Sequence, residues 1–310
     1  MKVLITGANG FIGSYLAQFF LRKGYSVVAT ARQFHTSTKE LLGNAELIEL
    51  DVLNLEQLNT ISIQADVIIH TATANDIVSK NTLAGIELSA TGTKNILDFA
   101  IKNEIPKCMV FSTLQVYGTE LQGNIDEQSP LYFQNDYGLN HLYAEMYAEM
   151  YSRFKKVQCV SVRPSNVYGR LLTKSFNRWS LVPGGFCKEA LESGTITIKS
   201  SGKQMRNFVN LENLSRAVEC ILQHFPDRYE CYNLASSAAN TMAEVAEKVK
   251  EVFKEKYQKE INIHITGNEP AETNNFSISL EKLKQIGFTE DKNFTLESEI
   301  AELFNYLQTK

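Results

Sequence analysis

The 310 residues contain no CxxC pair, no apolar run long enough to cross a membrane and no excess of basic charge. Each absence removes a class of function. The five cysteines, Cys108, Cys159, Cys187, Cys220 and Cys231, are odd in number and widely spaced, so zinc or redox-pair chemistry is not indicated. Reduced, mostly buried thiols and no metal site are expected. A formal net charge of −4 leaves no positive field for a phosphate backbone, which argues against a nucleic-acid partner. Any anionic ligand must be held by local groups. The chain opens on the strand-like Lys2-Val3-Leu4-Ile5-Thr6 and not on a basic and apolar leader, so a cytoplasmic protein with no membrane partner is expected. There is no low-complexity tract, no repeat of solenoid length and no Gly/Ser linker. The tandem Tyr-Ala-Glu-Met at 143–146 and 147–150 reads as the lengthening of one helix.

What is present is an alternation of strand-like runs and amphipathic stretches, the pattern of βα units feeding a parallel sheet. The strand runs are Val3 to Thr6, Ser26 to Thr30, Glu46 to Leu50, Val67 to His70, Met109 to Ser112 and Val160 to Val162. Helices are expected from Ser14 to Lys23, closed by Gly24, from Ile86 to Lys102 and from Tyr137 to Lys155. The expected fold is α/β: a Rossmann-type doubly wound parallel sheet with a smaller C-terminal substrate-binding lobe. After Gly169 the segments shorten, and helices follow at Met242 to Phe253, Leu280 to Gln285 and Leu296 to Tyr306. Residues 1–168 are assigned to the cofactor-binding domain, with 208–240 partly returning to it through Cys231-Tyr232-Asn233-Leu234. Residues 169–310 form mainly the smaller lobe.

Directly after the first strand come Thr6, Gly7, Ala8, Asn9, Gly10, Phe11, Ile12 and Gly13, and then the first helix. Glycines let the backbone turn tightly and approach a pyrophosphate, whose charge meets free N–H groups at the helix start. This TGANGFIG resembles the TGxxGxxG turn of the short-chain dehydrogenases/reductases, and further ordered segments extend the resemblance over nearly the whole chain. Asp51-Val52 falls where that family has an Asp and an apolar residue at the adenine. His70-Thr71-Ala72-Thr73 is similar to HLAA near the cofactor ribose. Phe111-Ser112-Thr113-Leu114-Gln115-Val116-Tyr117-Gly118 resembles FSSxxVYG of the extended subfamily. Arg163-Pro164-Ser165-Asn166-Val167-Tyr168-Gly169 resembles RPxNVYG, and Gln204-Met205-Arg206-Asn207-Phe208-Val209 resembles TRDFV. The resemblance is to the nucleotide-sugar-modifying, NAD-dependent epimerase/dehydratase group. It implies cofactor contacts from Gly7, Gly10, Phe11, Ile12, Gly13, Asp51, Val52, Thr71, Ala72 and Pro164.

An acidic residue about 20 positions past the glycines would hydrogen-bond the adenosine ribose and favour NAD. The second strand instead ends Val28-Ala29-Thr30-Ala31-Arg32. Arg32 can pair with a 2′-phosphate in a bidentate fashion, which favours NADP over NAD; an arginine at a strand end also has the plainer reading of a surface residue.

The resemblance implies hydride transfer between nicotinamide and a sugar carbon, with Tyr137 moving the hydroxyl proton and Thr113 holding the reacting oxygen. The family's YxxxK places a lysine one helical turn after the tyrosine, and this chain has His141 there. A phenol with a pKa near 10 needs roughly 4 kcal/mol of differential stabilisation to titrate near 7, and a mostly neutral imidazole supplies little of it. The nearest lysines in sequence are Lys155 and Lys156. His141 is either a proton-transfer group, a contact to the nicotinamide ribose or a structural group.

On the substrate side, Asn166 and Arg206 match family positions that contact a nucleotide diphosphate, and Leu181-Val182-Pro183 matches the segment against the base. An alternative partner for Arg206 is Glu212. These matches imply a nucleotide-sugar substrate, and the favoured reaction is NADPH-dependent reduction of a 4-keto sugar, because reduction starts from a protonated tyrosine. A 4-epimerase is the alternative. A dehydratase is disfavoured because Thr113-Leu114-Gln115 lacks the Asp-Glu pair that follows this threonine in such members. A third reading is a catalytically weak NAD(P)-binding protein. The resemblance also implies a homodimer, through the helices that contain Ile86 and Tyr137.

Overall fold

Two-residue alternation along each strand decides which side of the central sheet every apolar side chain enters. In β1 (Lys2–Thr6), Val3 and Ile5 join one hydrophobic cluster with Phe19 and Phe20, while Leu4 joins another with Ile96 and Leu97. The same division recurs in β2 (Ser26–Ala31), β4 (Val67–His70) and β5 (Lys107–Phe111), where Val28, Ile68 and Cys108 face the cluster opposite to Val27, Ile69 and Met109. Burial on both faces is why these strands read as nearly continuous apolar runs. With β3 (Glu46–Glu49), β6 (Gln158–Pro164) and β7 (Glu230–Leu234) they form one seven-stranded sheet, parallel throughout, in the order β7-β6-β5-β4-β1-β2-β3. The structure, a computed structural model, describes residues 1–154, 157–170, 172, 179, 181–267 and 275–308.

The expected doubly wound sheet is present, with β7 returning to it beside β6. The order reverses between β1 and β4, which opens a crevice at their carboxyl ends. Two helices start three or more residues before the expected position. The first spans Phe11–Arg22, not Ser14 to Lys23, because extended Gly10 already serves as its N-cap. The helix expected from Ile86 begins at Thr82, where the Asn81 side chain accepts from the Ala84 N–H, and it widens into a π-turn over Glu87–Thr91 before continuing as Gly92–Lys102. Ser89 in that turn accepts a hydrogen bond from the Ala74 N–H at 3.0 Å, so the irregularity ties the helix to the loop after β4. The Tyr137 helix runs Asp136–Arg153; Lys155, where it was expected to end, lies outside the described residues.

A third hydrophobic cluster lies apart from the sheet. Helices Gly184–Ser193, Met242–Tyr257 and Leu296–Gln308 close around Phe186, Val249, Phe253, Ile300 and Phe304, with the Phe253, Tyr257 and Phe304 rings in mutual contact. Met205–Asn210 pairs with Asn166–Tyr168 and Ala239–Thr241 in a small sheet that leads from β6 toward this cluster. Among the described residues all five cysteines are free, and burial pushes the Cys108 and Cys159 thiols up, Cys159 to about 12.

One buried polar network spans β6, β7 and the Tyr137 helix. Arg163 Nε and Nη2 donate to the two carboxylate oxygens of Glu145 at 2.9 and 2.7 Å, and Nη1 donates to the Tyr117 hydroxyl at 2.6 Å. Tyr117 donates in turn to Asn233 Oδ1 at 2.9 Å, and the guanidinium lies over the Tyr117 ring. Burial works against the Arg163 charge, yet its bonds to Glu145 outweigh it and hold the pKa above the ordinary arginine value. Glu145→Ala leaves this charge buried without its partner and is expected to cost about 3–5 kcal/mol in urea unfolding, most of which the apolar double variant Glu145→Leu/Arg163→Met regains.

Candidate functional site

The glycine turn between β1 and the first helix is shaped by close backbone approach. Gly7 has φ +71°, and a Cβ there would stand 2.8 Å from Thr71 Oγ1 and 3.0 Å from the Ala72 nitrogen. A Cβ on Gly13 would overlap the Gly7 carbonyl oxygen at 2.3 Å. The turn is therefore packed against Thr71 and Ala72 at the end of β4, and Thr71 Oγ1 donates to the Thr6 carbonyl at 2.6 Å. Gly10 caps the first helix without a side-chain hydrogen bond, and the first turn, with Phe11, Ile12 and Gly13, has no acidic residue. Its free N–H groups suit a phosphate, so these residues fit the pyrophosphate of a dinucleotide.

Around this turn the other expected cofactor residues take definite places. Arg32 follows β2, is exposed and makes no hydrogen bond or ion pair among the described residues. Asp51 is half-buried, and its carboxylate accepts from the Leu53 N–H at 3.0 Å; Val52 is buried, its carbonyl held by Asn95 Nδ2. Pro164 closes β6 opposite Leu234. His70, at the end of β4, is fully enclosed between Thr6 Oγ1 at 2.7 Å and Thr93 Oγ1 at 3.2 Å. Burial, with the nearby His141 adding to it, pushes its pKa down to about 3.

The strand ends of β5 and the Tyr137 helix meet through Gln115. Thr113 is buried and its Oγ1 accepts from the Gln115 N–H at 3.2 Å, while Asn135 Nδ2 donates to Gln115 Oε1 at 3.1 Å. Asn135 also caps the Tyr137 helix by accepting from the Gly138 N–H at 2.9 Å, and a Cβ on Gly138 would press on the Gln115 carbonyl. Half-buried Tyr137 lies in the first turn of the helix that these contacts join to Gln115. His141 is turned inward beneath it. The rings meet edge to face with centroids 4.7 Å apart, and Nδ1 of the buried imidazole lies 3.2 Å from the Phe111 carbonyl, to which it donates. Burial dominates over the Phe111 and Ala74 carbonyls and lowers its pKa to about 4, so the ring is neutral at pH 7. Lys155 and Lys156 lie outside the described residues.

On the other side of the crevice, Asn166 Nδ2 donates to the Asn207 carbonyl at 2.8 Å. Arg206 does not meet Glu212, whose carboxylate is held by Tyr15 and Arg22 on the first helix. Among the described residues its guanidinium makes only long contacts of 3.4–3.5 Å, to Gln204, Met205 and Thr119, and burial lowers its pKa. A partly desolvated cation without a carboxylate suits an anionic ligand. Leu181 and Val182 line an apolar groove with Phe11, Val167, Tyr168 and Trp179, so the glycine turn and the Leu181 segment share one wall. Thr113 and Tyr137 do not line this groove.

Three features escaped the sequence reading. Asn140 is buried and donates to Ser79 Oγ at 3.1 Å, and Gly85 is the close neighbour that a Cβ would drive into its amide. A glycine directly before the expected helix start at Ile86 was the available signal. Trp179 carried the signal of being the one tryptophan in the chain. Asn9 gave none, since its role depends on a loop 24 residues away.

Known proteins place this arrangement. Residues 3–235 match the model of the NAD dependent epimerase/dehydratase family. A low-salt glycan biosynthesis protein of Haloferax volcanii is 25% identical over 305 residues, covering 95% of each chain. The crystal structure of a UDP-glucose 4-epimerase from Thermotoga maritima with UDP-glucose aligns at a TM-score of 0.85 and 21% identity, covering 100% of this chain and 99% of that one. A UDP-glucuronic acid 4-epimerase from Bacillus cereus in complex with NAD aligns at 0.82 and 21% identity, covering 100% and 97%. No helix among the described residues is long and apolar enough to cross a membrane. With a glycine turn between β1 and the first helix and a family match over three quarters of its length, the chain belongs to the NAD dependent epimerase/dehydratase family of extended short-chain dehydrogenases/reductases and is an enzyme.

Proposed function

We propose that this enzyme uses NADPH to reduce the 4-keto group of a nucleotide-diphosphate sugar. The observation that carries the reading is the buried, neutral imidazole of His141 in the position of the family lysine, directly under Tyr137. With a neutral imidazole where the family has an ammonium, position 141 lends no charge to a phenolate, which favours a reaction that starts from the phenol. A protonated phenol can give its proton to a carbonyl oxygen as that oxygen gains electrons, whereas oxidation requires it to take one. NADPH supplies the hydride. Thr113 orients the reacting oxygen, and His141 anchors the helix to the end of β5 as a positioning group. Asp51, Val52, Thr71, Ala72 and Pro164 are assigned to the cofactor, with Gly7, Gly10, Phe11, Ile12 and Gly13 around its pyrophosphate and Arg32 at its 2′-phosphate. Asn166, Leu181 and Arg206 are assigned to the substrate nucleotide.

On this reading residues 1–168, with the return at 208–240, make the cofactor domain and 169–310 mainly the substrate lobe. A homodimer is part of the proposal; Ile101, Met146 and Met150, exposed on the helices Gly92–Lys102 and Asp136–Arg153, support it. A 4-epimerase is the second reading, favoured by the names of the aligned structures. NAD(H) that co-purifies tightly, with interconversion of C4 epimers, would identify it; consumption of exchangeable NADPH with a 4-keto sugar nucleotide identifies the reductase.

Three variants test the assignments. Tyr137→Phe is expected to abolish NADPH oxidation over a panel of keto-sugar nucleotides while calorimetric NADPH affinity stays near that of the parent; full turnover would move proton transfer elsewhere. Arg32→Ala is expected to lose NADP affinity and leave NAD binding unchanged, and equal affinities in the parent would remove the NADP preference. Arg206→Ala is expected to weaken binding of a UDP-sugar by about 1.5–3 kcal/mol, the range for hydrogen bonds to charged groups, with cofactor affinity unaltered.

A further inference from the structure

Three large apolar side chains stand in a row on the surface just before the Tyr137 helix. Leu131, Tyr132 and Phe133 are 38%, 67% and 44% exposed. A consecutive apolar run left in water costs solubility and adds nothing to a core, so it marks a contact surface. The run is not a loose tip. The Tyr132 N–H donates to the Val116 carbonyl at 2.8 Å, and Gln134 Oε1 accepts from the Thr119 N–H at 2.8 Å and from the Thr119 hydroxyl at 2.6 Å. Asn135 Nδ2 reaches Gln115. All of these bonds end on the short segment 115–119 that follows Thr113, so the backbone is held while the three side chains stay in solvent.

The place of the run decides what it meets. Gly118, at φ +108°, lies against it: a Cβ there would stand 3.0 Å from the Tyr132 carbonyl oxygen, 3.4 Å from Gln134 Oε1 and 3.6 Å from Tyr132 Cδ1. Tyr132 and Gln134 therefore turn toward the same stretch, Gly118-Thr119. Arg206 reaches that stretch from the other lobe, its Nη1 lying 3.5 Å from the Thr119 carbonyl. In this chain of contacts the Tyr132 ring stands between Arg206, assigned above to the substrate nucleotide, and Asn135, the N-cap of the helix that carries Tyr137. In a nucleotide-diphosphate sugar the group between the diphosphate and the reacting C4 is the pyranose ring.

We infer that Tyr132 is a specificity-determining residue of this site, its ring forming the wall against which the sugar of the substrate lies. The axial C–H bonds of a pyranose make a face of the sugar apolar, and the negative face of an aromatic ring attracts such hydrogens. Tyrosine has an apolar body and a polar tip, which suits a ligand that is apolar on its face and hydroxylated at its rim. The contact reads the sugar and not the nucleotide. It deepens the proposed function and rests on the assignment of a nucleotide sugar to the crevice, but not on the direction of the reaction.

The test is calorimetric binding of UDP and UDP-glucose, and of dTDP and dTDP-glucose, to the parent, Tyr132→Ala and Tyr132→Phe. In whichever pair the parent binds, Tyr132→Ala is expected to weaken the sugar-bearing member about 3- to 10-fold, the span of one ring contact, and to leave the bare diphosphate unchanged. Tyr132→Phe, which keeps the ring, should bind both as the parent does. An unmoved affinity for the sugar nucleotide in Tyr132→Ala overturns the inference. So does an equal loss of both members of the pair, which would place the ring at the nucleotide, or a change of oligomeric state in light scattering, which would make it a contact between copies of the chain. In each of these cases the parent still binds a nucleotide, and the reading of the crevice stands; a parent that binds none of the four compounds overturns that reading and the inference together.

Discussion

The fork of Arg163 on the Glu145 carboxylate is the contact on which the arrangement of the site depends. It joins β6 to the middle of the Tyr137 helix, and through the Tyr117 hydroxyl and Asn233 it reaches β7. Every partner in this chain is buried, so none of its polar atoms can exchange into water without the helix leaving the sheet. Paired charges in such a setting add little net stability, but they tolerate few geometries. The consequence is positional: the helix that carries Tyr137 is fixed in register against β6 and β7.

The first two turns of that helix are fixed a second time by contacts of a different kind. Asn140 reaches Ser79 in the loop after β4, Asn135 reaches Gln115 after β5, and His141 donates to Phe111. In a family whose pattern puts a lysine at position 141, the substitution has converted a charged group into a packed one. Burial holds the imidazole neutral, so His141 can order the backbone while contributing almost no field at the phenol. On the proposed reading this separates two functions that a lysine combines, orientation and electrostatics, and it keeps orientation alone. On the same reading the reductive direction is favoured by the charge missing at position 141.

The two sides of the crevice differ in how they are ready for ligands. The glycine turn offers backbone N–H groups whose positions are set by the close approach of Gly7 to Thr71, and it needs no side-chain charge to attract a pyrophosphate. The small sheet beyond β6 offers Arg206, partly buried and, among the described residues, held only by long contacts. A preformed backbone cradle and an under-satisfied guanidinium are complementary means of binding phosphates, one by geometry and one by charge.

The sequence by itself determined the elements and the sheet, since local period and glycine placement are properties of short segments. The two-sided apolar strands, the turn Gly7 to Gly13 and the motifs around Thr113, Tyr137 and Asn166 could all be read there, and so could the departure at His141. The helix starts at Phe11 and Thr82 were misread because they depend on cap residues, Gly10 and Asn81, whose conformation the pattern does not announce. What only the tertiary structure decided was the state of the groups. Whether His141 points to the cofactor or into the core, whether Arg206 finds Glu212, and whether the Asn9 amide is satisfied all depend on residues 20 or more positions distant. Burial and hydrogen-bond partners, which set charge and pKa, are created by the packing of distant segments, and no window of sequence contains them.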